Sequence, residues 1–90
     1  MTARAPLDWL LDSTARHLPG GNGSAPLTAD HLAHMSELAI WDWHGTSDPT
    51  PESIADKRAL TDALDRLPIN SETRGEFAAR IQLLAKGAVL

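Results

Sequence analysis

Three clusters of helix-breaking residues cut this chain into four short stretches. Pro19-Gly20-Gly21 opens the first break, which runs to Leu27; Gly45 and Thr50-Pro51 bound the second; Pro68 marks the third. Proline inside a helix costs about 3 kcal/mol and glycine about 1 kcal/mol relative to alanine, so clusters of them end elements and redirect the chain. The apolar residues between the breaks decide what those elements are. There are 14 Ala and 13 Leu, against one Val, four Ile, one Phe and no Tyr. Ala and Leu favour helix, whereas strands draw on β-branched and aromatic residues. The sequence therefore predicts an all-α chain, a compact bundle of three or four helices near residues 6–17, 28–43, 51–67 and 71–86. All 90 residues form one domain, with a Gly/Pro-rich connector at 19–27.

Each stretch carries its own signals. Pro6 suits a first helical turn, and Leu7, Leu10, Leu11 and Leu18 share one side of the first helix. The connector PGGNGSAPL has almost nothing to bury and reads as a flexible, solvated loop, which leaves the first helix free either to dock or to move. Thr28 is the expected cap of the second helix, whose broad face holds Leu32, Met35, Leu38, Ala39 and Trp43, and Gly45 its terminator. Thr50-Pro51-Glu52 opens the third, with Leu60, Ala63, Leu64 and Leu67 as its stripe. Asn70 or Ser71 is expected to cap the fourth, with Phe77, Ile81, Leu84 and Ala88 on one face.

Charge and residue type exclude several functions. Twelve acids against eight bases give a net charge of −4, and neither half of the chain is basic. That argues against binding nucleic acid through a bulk positive field. With no cysteine, thiol catalysis and cysteine-ligated metal are excluded. The start, MTARAPLDWLLD, is broken by Asp8 before it reaches the apolar run of about 7–15 residues of a secretory signal. Nothing approaches the roughly 20 apolar residues of a membrane span, so the expected location is cytoplasmic. Arginine outnumbers lysine six to two, which with the abundant alanine fits a GC-rich bacterial genome.

Tryptophan placement is the affirmative signal. If the leucines define the inner face of the first helix, Trp9 points away from it, and Trp41 lies about 120° off the core face that Trp43 joins. Outward indole rings are frequent anchors of protein interfaces. With Ile40 and Leu83, also expected to be exposed, Trp9 and Trp41 are the candidate partner-binding residues, rimmed by Asp8, Asp12, Asp30 and Glu37.

Other chemistry is thinner. Asp30, His34, Glu37 and His44 fall within one wedge of the second helix, and His and carboxylate at i,i+3 or i,i+4 can hold a divalent metal. The wedge lacks a motif such as HExxH, and its other reading is a solvated polar face. No serine stands in a GxSxG elbow, GGNG lacks the ending of a phosphate loop, and no carboxylate pair shows signs of burial, so no catalytic residue and no cofactor is expected. The third and fourth helices, joined by LPIN, also read as a helix-turn-helix. Its second helix would present Ser71, Thr73 and Arg74, with Arg80, Gln82 and Lys86 further along, to duplex DNA; Glu72 and Glu76 oppose that reading.

The stretch ALTDALDRLPINSETRGEFAARI, residues 59–81, resembles bacterial effector-associated domains. The resemblance lies in a leucine-rich helix ending in Leu-Pro, a short polar turn and Thr-Arg opening the next helix. Here those positions are Leu60, Leu64, Leu67, Pro68, Thr73 and Arg74. It covers about a quarter of the chain and implies adaptor or homotypic binding without catalysis. The expected function is a non-enzymatic protein–protein interaction module, an adaptor, inhibitor or small subunit, whose partner is another protein or a second copy. A DNA-binding regulator and a small metal-binding protein are the alternatives.

Overall fold

Four helices make up the structure, a computed structural model that describes residues 4–69 and 72–87. They are α1 (Leu7–His17), α2 (Ala29–His44), α3 (Pro51–Leu64) and α4 (Arg74–Ala85). Among the described residues there is no strand, only a single bridge between Pro26 and Thr73. The Cα radius of gyration, 12.5 Å, matches the roughly 12 Å of a compact chain of this length. The all-α bundle expected from the alanine and leucine content is thus the observed fold.

The caps explain where the helices begin. Thr28 accepts the His31 N–H, and Gly45, in the left-handed region at φ 72°, closes α2. At α3, Thr50 and Ser53 satisfy each other's backbone N–H groups in a capping box behind Pro51. α3 stops at Leu64, short of the expected Leu67, because Pro68 pushes the preceding residue out of helical geometry. The last residues instead close short turns, Arg66 N–H to Ala63 O and Leu67 N–H to Leu64 O. α4 is capped by Thr73, whose hydroxyl accepts the Glu76 N–H while the Glu76 carboxylate accepts the Thr73 N–H. The expected caps Asn70 and Ser71 lie outside the described residues.

α1 is the hub. It packs against α2, α3 and α4, while α3 and α4 make no substantial contact with each other. Leu10, Leu11, Ser13, Thr14, Ala15 and Leu18 are all buried, a wider arc than a simple amphipathic stripe. Small residues there let neighbours approach, and the Thr14 hydroxyl is satisfied by donating to Leu10 O at 2.8 Å. Leu7, expected on this inner face, is exposed, since the covering begins only at Leu10. The rest of the core comes from Ala5 before α1, Leu27 of the connector, Leu32, Met35, Ala39 and Ile40 of α2, Leu60, Ala63 and Leu64 of α3, and Phe77, Ala78 and Ile81 of α4.

The glycine-rich connector is not a free loop. The Arg74 N–H donates to Ala25 O, the Gly75 N–H to Gly23 O, and the Leu27 N–H to Glu72 O, at 2.9–3.0 Å. A helix start has four N–H groups without intrahelical partners. Here the Glu76 carboxylate takes that of Thr73, the connector takes those of Arg74 and Gly75, and Thr73 Oγ1 takes that of Glu76. Gly75 permits this approach, because a Cβ there would stand 3.2 Å from Gly23 O. The low apolar content that suggested a mobile linker was compensated by backbone pairing. Since Thr73 is one of several groups holding this junction, Thr73→Ala is expected to cost about 1 kcal/mol in urea unfolding, the usual worth of a cap, and not to unfold the chain.

Candidate functional site

The most concentrated chemistry lies where the N-terminal segment crosses α3. Asp56 is completely buried, and its Oδ2 accepts the Ala5 N–H at 2.9 Å and His44 Nε2–H at 2.8 Å. Its Oδ1 is paired with Arg4. Burial pushes the carboxyl pKa up, but the Ala5 N–H, the Arg4 guanidinium and His44 together outweigh it and hold Asp56 below its ordinary value. An ionised carboxylate only accepts, so His44 carries its hydrogen on Nε2 and directs Nδ1 away. Among the described residues that Nδ1 is buried with no partner. The arrangement resembles the orienting half of a catalytic pair, but both side chains are sealed from solvent, where a substrate does not reach them. What it does is tie three segments together.

This removes His44 from the expected metal wedge, because the ring turns inward to Asp56. Glu37 is engaged as well, by Lys57 across the α2–α3 gap. Among the described residues no three histidine or carboxylate side chains converge as a metal would need. The helix-turn-helix geometry also fails. Its two helices must pack together, and α3 and α4 do not. Thr73 is consumed as a cap, and Arg80 pairs with Glu72 and lies over the Phe77 ring, its Cζ 5.2 Å from the centroid. Arg74 is half-buried at the connector, and Ser71 lies outside the described residues.

The expected partner-binding residues do not form one patch. Trp9 meets Trp43 edge-on, centroids 5.0 Å apart, so much of its outward face is spent within the chain. Ile40, expected exposed, is only 4% accessible, because α2 is covered over an arc wider than its main stripe. Leu83 is exposed at 51%, but on α4. Trp41 is half-buried, and it stands beside a groove that the expected set did not contain.

That groove runs between α2 and α3. At one end is a cavity of about 350 Å³ walled by Leu32, Ala33 and Ser36 of α2, Thr61 and Leu64 of α3, and Leu67 to Ile69. At the other is one of about 270 Å³ walled by Ile40 and Trp41, the Ser47–Pro49 turn, and Ser53 and Ile54. Lys57 lines both, and its ion pair with Glu37 bridges the groove between them. Ile54 at 53% and Ile69 at 40% are among the most exposed large apolar residues described. Ile54 lies off the leucine stripe of α3 and Ile69 follows Pro68 outside any helix, so helical periodicity points to neither. Asp56 did leave a signal: it stands four residues before Leu60 on that stripe, an acid on a core face.

No helix among the described residues is long and apolar enough to cross a membrane. Compared with models of known families, with curated proteins and with solved structures, the chain matches none.

Proposed function

We propose that this protein is a non-enzymatic interaction module of the bacterial cytoplasm, an adaptor, inhibitor or small subunit, that binds another protein along the α2–α3 groove. The observation that carries the reading is a pair of mainly apolar hollows along the α2–α3 seam, parted by the Lys57–Glu37 ion pair and edged by Trp41, Ile54 and Ile69. Exposed apolar surface costs solubility unless something uses it, and an aromatic ring beside a concave apolar site is a common hot spot. The resemblance of residues 59–81 to effector-associated domains points toward the same kind of role. Trp9 and Leu83 take no part in this surface.

Ala33 is exposed in the groove wall, so Ala33→Arg obstructs the site without disturbing the core. In affinity capture from an extract of the source organism, a partner held by the wild type should be lost on Ala33→Arg and kept by Leu83→Arg. Trp41→Ala should weaken binding by about 2 kcal/mol with the helical circular dichroism preserved. A partner retained equally by Ala33→Arg would place docking elsewhere.

A further inference from the structure

We propose that the groove's occupant is a basic amphipathic helix whose two large apolar side chains, seven residues apart, fill the two cavities. The inference rests on the reading of the groove as a docking site and adds the chemistry of the partner. Charge is the first argument. Residues 29–69, the α2–α3 half, hold eight of the twelve acids and three of the eight bases, a net −5, whereas the remaining residues sum to +1. Asp56 is buried against Arg4, and without it this half still presents seven acids to three bases. Lys57 and Glu37 neutralise each other at mid-groove, which leaves Asp65 lining the first cavity and Asp48 the second. A cation near each end of the occupant answers that pattern, and complementary charge of this kind sets both orientation and partner choice.

Spacing is the second argument. On α2 the first cavity is walled from Ala29 to Ser36 and the second from Glu37 to Trp41; on α3 the first is walled by Lys57, Thr61 and Leu64 and the second by Ser53, Ile54 and Lys57, so the wall residues of the two are offset by about seven positions on each helix. Their centres are therefore about two helical turns apart, roughly 10 Å. On a helix, positions i and i+7 lie on one face at about that separation. An extended peptide rises about 3.3 Å per residue, so 10 Å is three residues, and residues three apart point to opposite faces. The groove thus fits a helix and not a strand. The ion pair at its middle faces the partner's i+3 and i+4 positions, where small or polar side chains belong.

The test uses labelled synthetic helical peptides of about fifteen residues, roughly four turns, and the full protein, read by fluorescence anisotropy. The first peptide has leucines at i and i+7 and lysines at both ends. The second moves the leucines to i and i+5, and the third replaces the lysines by glutamates. The first should bind at least about tenfold tighter than the other two, Ala33→Arg should lose it, and the double variant Asp48→Lys, Asp65→Lys should reverse the preference between lysine and glutamate ends. Equal binding of the three, or no binding of the first, overturns the inference. If a proline-containing extended apolar peptide binds instead and Ala33→Arg abolishes it, the groove remains a docking site and the helical partner falls. A concentration-dependent dimer lost on Ala33→Arg would assign the groove to a second copy and also overturn it. If nothing binds and extract capture is unchanged by Ala33→Arg, both readings fall.

Discussion

Asp56→Ala is expected to remove about 3–5 kcal/mol of stability, the loss seen when one member of a buried, hydrogen-bonded ion pair is deleted. A 90-residue domain is stable by about 5–13 kcal/mol, so this one side chain carries a large share. The loss is large because three donors lose their acceptor together: the Ala5 N–H, the His44 ring and Arg4. Among the described residues His44 Nδ1 already lacks a partner, so within them the ring would be left with both nitrogens buried and unanswered. Arg4→Ala should cost far less, about 1 kcal/mol or below, because solvent reaches 53% of that side chain. The acid limb of the stability profile follows from the same carboxyl. Its folded pKa lies below the unfolded value, near 3.9, so the stability it supplies is fully present above about pH 4. That stability is lost as pH falls through the lowered folded value. Urea unfolding of wild type and Asp56→Asn from pH 7 downward checks this, with a shallower acid limb expected in the variant. An Asp56→Ala protein within 1 kcal/mol of wild type would mean that the cluster is ornamental.

The contrast between α1 and Asp56 shows which parts of the fold were legible in sequence. Helix type, number and most boundaries follow from local rules: Thr28, Thr50 and Gly45 act where their side chains or backbone freedom place them. Facing is harder, because one stripe cannot say how many neighbours a helix has. α1 has three, which is why its small polar residues are buried and why Trp9 finds Trp43. Ile40 is buried off the main stripe for the same reason, since α2 is covered on more than one side. The connector's order leaves no mark in the sequence, because its ties are main-chain bonds to the start of α4, to which side-chain patterning is blind. The groove is a property of two helices that diverge, and Ile54 and Ile69 belong to no stripe, so only the tertiary arrangement assembles them. Asp56 could have been found from the α3 stripe, but its partners Arg4 and Ala5 come from a segment about fifty positions away.

The second large effect separates the face that holds the fold from the face that docks. Phe77 is the one phenylalanine in the chain and is fully buried on α4, the helix that packs on α1. Phe77→Ala should cost about 3–5 kcal/mol, from lost burial and the cavity left behind, and should also remove the surface over which the Arg80 guanidinium lies. Phe77→Leu, which keeps most of the volume, should cost about 1.5 kcal/mol or less. Because α4 receives the connector's carbonyls at Arg74 and Gly75, loosening it should speed hydrogen exchange at those two amides before any in α2. The groove contains no residue of α4. Phe77→Leu should therefore lower the urea midpoint while leaving the affinity of the folded protein for the lysine-ended helical peptide unchanged to within about twofold, as distant, independent sites behave. A tenfold loss of affinity with the fold intact would tie binding to α4 and shift attention to Leu83.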